Sequence, residues 1–124
     1  MRYLLALIFV MLGFSQNAAA SPDGASLLRA CNASNKQEDG IEVSDEEAAY
    51  ALWCSGYVAG YLDGFQISSS TKGAGEKLCL PNAGITNDQA IRVITRWLKD
   101  HPETLHQSGR VEILRALASA FPCK

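Results

Sequence analysis

Four cysteines constrain this chain more than any other feature: Cys31, Cys54, Cys79 and Cys123 all fall after an N-terminal segment that reads as a cleavable export signal. Arg2 supplies the positive start of that segment. Leu4 to Phe14 is an apolar run interrupted only by Gly13, and Ala18-Ala19-Ala20 gives the small-x-small pattern of a signal-peptidase site. The run is shorter than the roughly 20 apolar residues that span a bilayer. Cleavage after Ala20 makes residues 1–20 a signal peptide and leaves residues 21–124 as one domain. A domain this small builds only a modest core and gains from cross-links. An even number of cysteines in an exported domain of this size reads as a disulfide framework. No C-x-x-C or H-x-x-x-H pairing offers the local ligand spacing of a metal site, so no cofactor is expected.

The remaining pattern is helical. Ala25 to Ala33 reads as a short helix carrying Leu27, Leu28 and Cys31, followed by a polar loop over residues 35–40. Ser44-Asp45-Glu46-Glu47 is a capping box whose acidic first turn also suits the helix dipole. It opens a helix from Asp45 to about Ile67 with apolar residues on several faces, the pattern of a central, buried helix. Residues 68–77 have the composition of a linker, and Thr86-Asn87-Asp88-Gln89 is a second capping box. The next helix ends near Asp100-His101, where Pro102 removes a backbone donor. A last helix from about Gly109 to Ala120 has Val111, Leu114, Leu117, Ala118 and Phe121 as its apolar set. The fold class is therefore all-α: a small disulfide-stapled bundle of four to five helices. The last two helices are joined by a short turn and should run antiparallel, which brings Cys79 near Cys123. Cys31 and Cys54 are then left to tie the first helix to the second.

Gly56, Gly60 and Gly64 fall four residues apart on one stripe. Each costs about 1 kcal/mol against alanine in a helix interior, so the stripe calls for a compensating contact. Close packing within the subunit and a dimer seam both supply one.

Function by catalysis finds little support. A Cys–His nucleophile needs a free thiolate, and every cysteine has a disulfide partner in this scheme. His101, Glu103 and His106 flank a turn, but their spacing across a proline is no recognised ligand pattern. Asn32-Ala33-Ser34 matches a glycosylation sequon, a common chance match. With 11 Lys+Arg and 13 Asp+Glu, and Arg2 lost with the signal, the mature chain carries −3. That is no electrostatic footprint for nucleic acid.

Cys54-Ser55-Gly56-Tyr57-Val58-Ala59-Gly60-Tyr61-Leu62-Asp63-Gly64-Phe65 resembles the central-helix signature of the Rap/Tai family of immunity proteins. Cys79-Leu80-Pro81, the turn His101 to His106, and Ala116-Leu117 with Ala120-Phe121-Pro122-Cys123 resemble its other blocks, in the same order. The resemblance implies an all-helical periplasmic homodimer that is not an enzyme. Its implied partner is a type VI secreted peptidoglycan amidase, with an inhibitor loop entering the Cys–His active site. On the matching turn it points to Trp97, Asp100, His101, Pro102, Glu103 and His106 as effector-binding residues. Each also has a local reading: Trp97 as core, Asp100 and Glu103 as helix-end charges, Pro102 as a helix break. Residues 68–77 are the competing contact loop. The alternative function is a periplasmic stress chaperone that binds unfolded clients.

Overall fold

The computed structural model describes residues 21–70 and 78–123, with side chains up to Ser68 in the first stretch. The expected signal segment and most of the 68–77 linker lie outside the described residues. Among the described residues four α-helices follow in order: α1 (Gly24–Glu38), α2 (Asp45–Ser70), α3 (Asn87–Asp100) and α4 (Gly109–Ala120), with a 3-10 turn at Pro102–Thr104 between the last two. The bundle is all-α and carries two disulfides.

Capping chemistry explains where the helices begin. Asp23 caps α1 by accepting from Ser26 N at 2.8 Å. The next orphan donors are met by another part of the chain: Gly24 N reaches Gln107 O at 2.9 Å and Ala25 N reaches Leu105 O at 3.0 Å. At the start of α2 both arms of the capping box are present, Glu47 N to Ser44 Oγ at 3.2 Å and Ser44 N to Glu47 Oε2 at 3.1 Å. Thr86 caps α3 by accepting from Gln89 N at 3.1 Å.

The structure moves the centre of the fold. The helix expected to be central is α2, yet that place is shared by α3 and α1, each of which packs against all three other helices. The α1 helix also runs past Ala33, into the expected polar loop of residues 35–40, and ends at Glu38. Its small inner residues explain the change: Ala30, Ala33 and Ser34 are almost fully buried and let neighbouring helices approach. Among the described side chains of α2 only Ala51, Cys54, Val58 and Leu62 are buried, while Leu52 and Ile67 are 76% and 70% exposed. The inner face of α4 also differs. Leu117 is buried as expected, but Val111 and Leu114 are each 37% exposed, and Glu112, Ile113 and Ala116 join Leu117 in the buried set.

The disulfides follow the expected pairing. Cys31–Cys54 staples α1 to α2 with Cα atoms 5.2 Å apart, and Cys79–Cys123 joins the approach to α3 to the end of α4 at 5.0 Å. Cys79 N also donates to Phe121 O at 3.1 Å, so the segment entering α3 lies beside the segment leaving α4. That is what an antiparallel α3–α4 pair requires.

Candidate functional site

The six residues singled out on the third helix and its turn fall together at one end of the bundle. Trp97 and Asp100 occupy the last turn of α3, His101 ends that helix, and Pro102 and Glu103 open the 3-10 turn that leads to His106. His101 adopts φ −126°, ψ 60°, outside the helical region that a following proline disfavours. Its ring stacks on the Trp97 indole, centroids 3.7 Å apart and planes 20° apart, and its Nδ1 lies 2.9 Å from Trp97 O. Asp100 Oδ2 is 3.9 Å from Arg96 Nε, an exposed and weak pair. Pro102, Glu103 and His106 are exposed. His101, Glu103 and His106 do not converge, and no metal-binding group of three or more ligands occurs among the described residues.

Behind the turn sits a residue that sequence reasoning missed. Glu112, in the first turn of α4, has no exposed surface. Its Oε2 accepts from Trp97 Nε1 at 2.9 Å and from Thr104 Oγ1 at 2.9 Å, while Oε1 accepts from Arg115 at 2.7 Å. The Thr104 hydroxyl also lies 3.0 Å from His101 O and shares its one proton between the two acceptors. Burial pushes the Glu112 carboxyl up, but the bonds from Trp97, Thr104 and Arg115 and the Arg115 charge outweigh it. The carboxyl is held below its ordinary 4.5. The sequence marks the position only as one acidic residue between Val111 and Ile113 in a first helical turn, which does not disclose the donors it serves.

The turn is tied from its other side as well. Gly109 N donates to Pro22 O at 2.6 Å and Ser108 Oγ to Ser21 Oγ at 3.2 Å. A Cβ on Gly109 would stand 2.9 Å from Pro22 O, and one on Gly24 would stand 3.1 Å from Leu105 O. The two glycines are therefore what lets residues 22–25 lie directly against residues 105–109. Between α3 and α4, a groove of about 300 Å³ is lined by Val93, Trp97, His101, Ala116 and Ala120 and rimmed by Arg96 and Asp100.

A larger groove of about 550 Å³ lies between α1 and the start of α2. Much of its charge is internally matched, with Lys36 on Glu47 at 2.7 Å and Asp39 on Arg92 at 2.8 Å. Elsewhere, Gly56, Gly60 and Gly64 face outward: a Cβ at any of them would meet nothing within 4 Å. No packing partner for the stripe is found among the described residues.

A comparison with curated proteins finds no match. The family model of the Rap1a immunity proteins matches residues 23–123, which takes in every described helix and both disulfides. An immunity protein binds a secreted effector, and the two disulfides fit an exported protein. By that match, the chain belongs to the Rap1a immunity protein family.

Proposed function

We propose that this protein is a periplasmic immunity protein that inhibits a secreted peptidoglycan amidase by placing the 97–106 turn in the enzyme's Cys–His cleft. The observation that carries the reading is the construction of that turn. Its polar tip, Glu103 and His106, is exposed, while its base is fastened by Glu112 on one side and by residues 22–25 on the other. A rigid plug loses little conformational entropy on binding, which favours tight inhibition over transient contact. Trp97 and the His101 ring offer flat apolar surface beside the tip, the type of group that anchors interfaces.

The exposed face of α2 supplies the dimer in this proposal. Gly56, Gly60 and Gly64 leave a shallow track flanked by Leu52, Trp53 and Ile67, all exposed. A second copy of α2 can approach closely along such a track and cover the apolar residues beside it.

The test is inhibition of a panel of purified small Cys–His peptidoglycan amidases acting on a tetrapeptide muropeptide. The mature protein, residues 21–124, should inhibit at least one member stoichiometrically. Alanine at Trp97, His101, Glu103 or His106 should weaken that inhibition. If substitutions within 68–77 abolish it while the turn variants inhibit normally, the turn is not the contact.

A further inference from the structure

We propose that Glu112 is the positioning residue of this contact surface: its Oε2 atom fixes the Trp97 indole and the 102–104 turn in a single arrangement. The proposal relies on the functional reading above only for what the surface binds; the positioning itself rests on geometry. Three elements meet at this carboxylate, with Trp97 from α3, Thr104 from the 3-10 turn and Glu112 and Arg115 from α4. A fully buried carboxylate is costly unless its oxygens are hydrogen-bonded, and an apolar side chain would fill this place on α4 at lower cost. What an apolar side chain would not supply is an acceptor for the Trp97 N–H and the Thr104 hydroxyl.

The two oxygens divide the work. Oε2 takes both donors that belong to the proposed contact surface. Oε1 takes Arg115, whose Nη1 also lies 2.6 Å from Gln107 Oε1 at the far end of the turn. Without Oε2 the indole has no polar tether, and it is a wall of the groove between α3 and α4. His101 stacks on that indole, so its ring loses a fixed support. The charged and titratable groups around Glu112 are Arg115 on its own helix and, across the indole, His101.

This division predicts that Glu112→Gln and Glu112→Leu behave differently. A glutamine oxygen in the Oε2 place keeps both donors, and Arg115, which is 42% exposed, can turn away from the new amide. Leucine fills the space and accepts nothing. The readouts are the Nε1–H resonance of Trp97, assigned in a Trp53→Phe background, and hydrogen exchange at the amides of Thr104, Leu105 and Gln107. The glutamine variant should leave both near the parent. The leucine variant should lose the hydrogen-bonded indole shift and speed turn exchange by at least about tenfold, the scale of one lost buried hydrogen bond. The amides of Ala30 and Cys31 in the core should keep their protection and show that the fold persists. Against an amidase that the parent inhibits, leucine should weaken inhibition by a similar factor and glutamine should restore it.

Unchanged indole resonance and turn exchange in Glu112→Leu would overturn the proposal. Should that variant not fold, Thr104→Val removes one donor alone; local acceleration then supports the positioning role and its absence rejects it. If Trp97→Ala and His101→Ala inhibit as the parent does, the functional reading fails, and the spectra still decide on Glu112.

Discussion

Single residues at the α3–α4 end carry more than their helices require. Thr104 donates to Glu112 at 2.9 Å, and valine has its shape without the hydroxyl. Thr104→Val should therefore cost about 1 kcal/mol of unfolding free energy, the usual net worth of such a bond, read as a lower urea midpoint at constant m. Gly109→Ala should cost more, about 1–3 kcal/mol, because its Cβ would meet the Pro22 carbonyl and backbone yields poorly. The Glu112 carboxyl titrates below its ordinary 4.5 in the fold, so its stabilisation is present above that value. It is lost as pH falls through the lower, folded pKa. The parent should accordingly lose stability below about pH 4.5 more steeply than Glu112→Gln, a difference that thermal melting across pH measures. The end of α3 at Asp100-His101 was legible in the sequence because Pro102 removes a donor and disfavours helix in the residue before it. Glu112 was not, because the donors it serves lie 15 and 8 residues away in sequence and meet it only through the fold.

At the scale of elements, the helix starts were written in short-range chemistry and the buried faces were not. Ser44 with Glu47 and Thr86 with Gln89 cap locally, so their helices begin where the residues say they do. The α1 helix outran its expected end because Ala33 and Ser34 are buried by tertiary contact, which overrides the weak helix preference of a polar stretch. The face of α4 was misjudged since Val111 and Leu114 share a stripe with Ala118, one residue out of step with Ile113, Ala116 and Leu117. Only the position of α1 and α3 decides which stripe is inside. On α2 the glycine stripe carries a prediction of its own. Gly60→Ala places a methyl in open space and should stabilise the isolated subunit by about 1 kcal/mol through helix propensity. If the stripe is a dimer seam, the same change should weaken self-association in sedimentation equilibrium. A variant that is more stable and associates as the parent does would remove the seam from the account.

For the whole molecule, the two disulfides set how firmly the domain holds together. Their sequence separations of 23 and 44 each correspond to roughly 3–4 kcal/mol in the chain-entropy account, a large share of what a domain of this size possesses. Their accessibility differs: Cys31 and Cys54 have no exposed surface, while Cys79 is exposed and Cys123 half-buried. Mild reductant under native conditions should open Cys79–Cys123 first, since thiol exchange needs access. The central claim, that this family member blocks a peptidoglycan amidase with the turn held by Glu112, is tested most directly by an inhibition titration. The mature protein, Trp97→Ala and His101→Ala are each titrated against the Cys–His amidase panel. The account predicts a stoichiometric end point for the parent and at least about a tenfold weaker one for each variant, as expected of interface anchors. Equal inhibition by all three proteins, or no inhibition of any amidase by the parent, would contradict it.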